Sequence, residues 1–193
     1  MLRTLSSLLI AVSLSAIGLS LWLRDVLPGP AQVIEAMLIE PRQTAATRSP
    51  FAVQAGGVSY RVEPRQDYVL RGLVVSRHDS SVWWDIVHRD WNDHLNVVDL
   101  CVIWGDNLRN DAYRHLRYWS EVFTCNVAGQ DEAWNRFNPD ALSNNHLLTA
   151  DPRIAKILRK VRPGDQVEIR GQLADYGHDQ GRSFWRKTSL VRT

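Results

Sequence analysis

From Leu5 to Leu23 the chain reads LSSLLIAVSLSAIGLSLWL, 19 positions without a charge. As a helix this stretch is about 28 Å long at ~1.5 Å per residue, close to the roughly 30 Å hydrocarbon core of a bilayer. Its serines can bond back to the helix backbone. The run has no polar face, so a membrane span is expected rather than a helix lying on a globular core. Arg3 precedes the run, while Arg24 and Asp25 follow it and cancel. The positive-inside rule then predicts a cytoplasmic N-terminus and a single pass, with Trp22 at the interface. A cleaved signal peptide is the alternative. Its apolar region would span about 7–15 residues, and the first small-x-small site here, Gly29-Pro30-Ala31, lies beyond the charged pair. The expected layout is therefore a cytoplasmic start and anchor over 1–27 and a C-terminal periplasmic domain on a bacterial inner membrane.

Pro28, Pro30, Pro41 and Pro50 punctuate the next segment, and 42–49 is polar. It reads as a stalk over 28–50, with a short helix at Gln32–Ile39, leading to an exported domain over 51–193. Within that domain Tyr68–Arg77 (YVLRGLVVSR) is apolar on both faces and predicts a central strand. Val97–Trp104, Glu121–Asn126 and Ser183–Arg192 also read as strands. Val167–Leu173 alternates apolar or small residues with polar ones, the period of a half-buried strand. The clearest helix follows Asp151. Asp151 suits the N-cap and Pro152 the first helical position. Ile154, Ile157, Leu158 and Val161 share one stripe, and Pro163-Gly164 stops the helix.

These elements predict a mainly β domain of α+β class, with one or two helices. Leu70-Arg71-Gly72-Leu73 and Ile169-Arg170-Gly171-Gln172 each carry a mid-strand glycine, which often marks a bulge or bend. Bent strands with one interrupting helix look like a small OB-type barrel. That likeness is one of fold and implies no particular ligand.

Charge divides the chain. Residues 31–151 hold 11 basic and 16 acidic residues, whereas 152–193 hold 10 and 4. The plain reading is mutual attraction within one fold. The sharper one is a basic face of Arg153, Lys156, Lys160, Arg170 and Arg186, with Trp185 as a stacking platform. Outside the cytoplasm such a face suits anionic lipid or an acidic protein better than nucleic acid. Eight tryptophans fit a small core or an interaction surface. Trp83 and Trp84 belong to this binding set, as do Asp106 and Asn107 in the loop after Trp104.

Cys101 and Cys125 are the only two cysteines. In an oxidising compartment they can join, or else remain buried thiols. The segment Trp83–His94 is the richest in chemistry. If helical, it would place Asp90 and His94 four residues apart on one face, near His88, as candidate metal ligands. Packed tryptophans with solvated charges are the simpler account. His146 beside a cysteine would suggest a thiol pair, but no hydrolase signature surrounds either cysteine. There is no P-loop, dinucleotide fingerprint or zinc-finger spacing, so no cofactor and no catalytic set is expected. The sequence thus favours an anchored envelope domain that binds another protein. The alternatives are a module for polysaccharide or single-stranded nucleic acid, and a metal-dependent hydrolase.

Overall fold

The apolar run around Tyr68 belongs to a strand of 22 residues. The computed structural model describes residues 25–190 together with Ser13. The candidate anchor, 5–23, lies outside them apart from Ser13. No helix among the described residues is long and apolar enough to cross a membrane. The strands are β1 (Arg42–Ala45), β2 (Phe51–Ala55), β3 (Val58–Asp79), β4 (Asn96–Ile103), β5 (Arg117–Glu121), β6 (Thr124–Ala128), β7 (Leu142–Leu148), β8 (Gln166–His178) and β9 (Phe184–Arg186). Among the described residues, three short helices join them: α1 (Ile86–Asp90), α2 (Asp131–Asn135) and α3 (Pro152–Leu158). The domain is mainly β, of α+β class.

β3 is the spine. Along one edge it pairs in turn with β2, β1 and β4, and along the other with β8. β7 extends the sheet beyond β4, and β9 extends it beyond β8. Every pairing is antiparallel. β5 and β6 form a separate hairpin. β4 is buried at all eight positions, as expected of an apolar strand with packing on both faces.

Leu73, Val75, Cys101 and Ile103 pack on one face with Met37, Leu108, Tyr113 and Phe137. Leu70, Val74, Leu100, Val102 and Trp104 pack on the other. A third cluster, around Tyr60, Val62 and Tyr176, fills the first half of β3. Between Val74 and Ser76 the register with β4 shifts by one residue. Strand side chains alternate in face, so the extra residue reverses the alternation beyond it. Ser76 and His78 thereby share the face of Cys101 and Asp99, their pairing partners on β4.

The two Arg-Gly centres are not equivalent. A Cβ at Gly72 would lie 2.5 Å from the Ile103 carbonyl oxygen, whereas Gly171 has open space. Gly72 serves close approach of β4, and the bulge sits two residues further on.

Several expected elements differ. Residues 28–45 pack on the domain rather than standing off it as a stalk. Met37 is buried, Tyr113 Oη donates to the Pro28 carbonyl, and β1 joins the sheet. The prolines were legible, but the tertiary partners of Val33, Ala36, Met37 and Leu38 were not. In place of one helix over Gln32–Ile39 there are two 3-10 turns, Pro30–Gln32 and Glu35–Leu38. Glu121–Asn126 is the turn of the β5–β6 hairpin with its flanks, not one strand. The helix after Asp151 is capped as expected, with Asp151 accepting from the Arg153 amide at 2.8 Å. Its inward face is one position out of phase with the expected stripe. Ala155 is buried and Leu158 and Val161 meet the core, while Ile154 and Ile157 are exposed.

Candidate functional site

The bulge in β3 places three polar side chains in a row across the sheet: His78 on β3, Asp99 on β4 and His146 on β7. Asp99 interrupts an apolar strand, and its side chain is wholly buried. His146 Nδ1 and Asp99 Oδ1 lie 2.7 Å apart. The carboxylate accepts, so Nδ1 carries the hydrogen.

The loop after β3 brings further groups to this row. Asp85 caps α1, accepting from the His88 amide at 3.0 Å through Oδ1. Its Oδ2 lies 2.7 Å from His78 Nε2 and 2.6 Å from His88 Nδ1. Asn96 Nδ2 is 2.9 Å from His88 Nε2 and 3.0 Å from Asp99 Oδ1. An amide nitrogen can only donate, so Nε2 of His88 is the acceptor and Nδ1 bears the hydrogen given to Asp85. Asp93 lies beside them, accepting from Tyr176 Oη at 2.7 Å. One polar layer thus runs from His146 through Asp99, Asn96 and His88 to Asp85 and His78, almost wholly buried.

Burial alone would raise the Asp85 carboxyl. Hydrogen bonds from His78 and from the amide and ring of His88 outweigh it and hold the group below the usual carboxylate range. For Tyr176, burial and the Asp93 charge push the phenol above its ordinary value.

The β5–β6 hairpin covers this layer. Cys125 is joined to Cys101 by a disulfide, with 5.6 Å between the Cα atoms. Ser120 Oγ lies 2.7 Å from Ser76 Oγ. Phe123 occupies the turn with φ of +69° and sets its ring 4.8 Å from that of His88. The Arg186 guanidinium stacks 3.6 Å over the Phe123 ring.

The metal candidates therefore regroup. Asp90 and His94 are both exposed, whereas His88 is buried and converges with His78 and Asp85, all ligand atoms lying within 4.8 Å of one another. The helix ends at Asp90, so the spacing of four expected between Asp90 and His94 has no helix to carry it. Sequence reasoning passed over His78, Asn96 and Asp99. A charge inside the apolar run VVDLCVI was the available signal, since a buried carboxylate requires partners.

The remaining binding candidates scatter. Asn107 is a buried clamp, accepting from the Asn138 amide at 2.7 Å and donating to the Asn138 carbonyl at 2.8 Å. Asp106 is exposed and paired with Arg109. Arg153 pairs with Asp151, Arg170 with Glu168, and Arg186 stacks on aromatics, so the basic face is largely engaged. Lys156 and Lys160 are exposed on and just after α3. Trp83 and Trp84 are 80% and 59% exposed, their rings edge to face at 5.7 Å. Trp185 lies across Gly177, where a Cβ would meet Trp185 Cε3 at 2.9 Å. It lines a groove of about 870 Å³ with Ser59, Arg61, Glu63, His178 and Asp179.

No protein-family model, curated protein or solved structure shows significant similarity to this chain.

Proposed function

We propose that this chain is an anchored binding domain of the cell envelope, contacting another envelope protein through Trp83 and Trp84. In this reading residues 5–23 hold it in a bacterial inner membrane and the β domain works in the periplasm. The observation that carries it is the side-by-side display of two exposed tryptophans around a buried anchor. Between Trp84 and the exposed Ile86, Asp85 is buried and held by two histidines. A loop fixed at its base loses little entropy when its tip docks, and tryptophan is enriched where binding energy concentrates. The Cys101–Cys125 link suits an oxidising compartment. The way β3 serves four other strands, with two register shifts, favours an OB-like barrel as the framework.

A photo-crosslinking residue at position 83 or 84 of the full chain, in intact membranes, tests it. The expected result is one reproducible protein adduct, absent when the crosslinker stands at Gly171 and competed away by unlabelled domain. A chain found only in the cytosol, or adducts equal at all three positions, would remove the reading.

The Trp185 groove favours a second reading, in which a polysaccharide stacks on the indole and bonds to Arg61, Glu63 and Asp179. Oligosaccharides that quench fluorescence in the parent but not in Trp185→Phe would support it over the protein partner.

A further inference from the structure

We propose that His78, Asp85 and His88 form a binding site for a divalent transition-metal ion of the zinc class. His78 Nε2, Asp85 Oδ2 and His88 Nδ1 converge within 4.8 Å of one another, and all three residues are buried. Two imidazoles and a carboxylate are the donor set that zinc takes, with a fourth position left for water or another ligand.

Charge balance supports an ion there. The side chains of Asp85, Asp93 and Asp99 are wholly buried in the same polar layer. Burying carboxylates requires opposite charge nearby. The imidazoles are the only basic side chains within the layer; Arg77 is paired with Asp79, and Arg186 stacks over Phe123 at its edge. A doubly charged ion would meet that demand at the point where three donors already face one another.

Two buried acceptors in the layer, Asn96 Oδ1 and Asp99 Oδ2, have no hydrogen-bond partner. Asn96 Oδ1 gains one on metal binding. Ligation through His88 Nδ1 moves the ring hydrogen from Nδ1 to Nε2, with no net proton change in a neutral imidazole. That hydrogen needs an acceptor, as metal-bound histidines generally do. Rotating the Asn96 amide brings Oδ1 to the place of Nδ2, now 2.9 Å from His88 Nε2. The rotation gives up the Asn96 bond to Asp99, which keeps His146. Asp93 Oδ2, 4.0 Å from His88 Nε2, is the alternative acceptor.

Donor atoms around a tetrahedral zinc stand roughly 3.3 Å apart, given bonds of about 2.0–2.1 Å. The Asp85 contacts of 2.6 and 2.7 Å must open as the ion replaces the shared hydrogens, that of His88 moving to Nε2 and that of His78 to Nδ1, with no net proton change in either neutral ring. Opening them requires the Asp85 carboxylate to shift while its Oδ1 keeps the His88 amide.

The test is metal content of the full chain purified without chelator, then cobalt titration of the stripped protein. One ion per chain and a visible cobalt ligand-field band are expected. Asp85→Asn and His78→Gln should weaken cobalt binding at least tenfold, and Asn96→Ala by roughly 10–100-fold, the usual range for residues that orient a ligand. His94→Gln should match the parent. Near-ultraviolet circular dichroism of each variant separates lost binding from lost folding. If His78→Gln does not fold, parent stoichiometry and Asn96→Ala decide. No retained metal and no cobalt band in the folded parent, or parent affinity in folded Asp85→Asn, would overturn the site.

Discussion

Asn144 Nδ2 donates to the carbonyl oxygen of Phe123 at 3.0 Å, tying the tip of the β5–β6 hairpin to β7. The same turn carries a left-handed φ at a bulky residue, a conformation that costs energy and persists only where its surroundings impose it. Here His88, Trp91 and Arg186 hold the ring in place. Replacing Asn144 by Ala should remove about 1 kcal/mol of stability, the net worth of one hydrogen bond. Chemical denaturation reads the loss. Hydrogen exchange should quicken over 117–128 more than elsewhere, and uniform acceleration would mean that Asn144 does not hold the hairpin specifically.

The disulfide closes a loop of 24 residues in sequence separation. On the chain-entropy account its loss costs about 3 kcal/mol. Urea unfolding with and without reductant should show this, and the Cys101→Ala, Cys125→Ala double variant should be insensitive to reductant.

Gly72→Ala and Gly171→Ala form a matched pair at the centres of paired strands. At Gly72 the new methyl meets the Ile103 carbonyl at 2.5 Å and Val102 Cγ1 at 2.6 Å, while at Gly171 it meets nothing. The first should destabilise by about 1–3 kcal/mol, as overpacking does. The second should stay within about 0.5 kcal/mol of the parent, like other surface changes. Equal thermal shifts would contradict the strand spacing described above.

Asp67 governs part of the acid limb. The Gln172 side chain is the chief cause holding its carboxyl below 3.8, with Thr47 adding to it. A group with a depressed native pKa stabilises the fold above its unfolded pKa, and that contribution disappears as pH falls through the native one. Asp67→Asn should therefore lower stability at neutral pH and flatten its decline below about pH 4, the unfolded carboxylate range. Stability curves from pH 2 to 7 for both proteins check the sign. Parallel curves would show that Asp67 contributes nothing.

The sequence by itself determined the elements whose signal is local. The apolar runs at Tyr68–Arg77 and Val97–Trp104 became buried strands, because continuous apolar side chains have few other stable placements. Asp151-Pro152 set a helix start, since cap and φ are decided within four residues. The helix phase was not local. Its contacts with the core turned Ala155 inward and left Ile154 and Ile157 out. Only the tertiary structure made the polar layer. His78 and His146 are far apart in sequence, and they share a row because one extra residue near Val75 reverses the face of everything after it. A register shift depends on the partner strand, so no reading of β3 alone could have placed His78 beside Asp99.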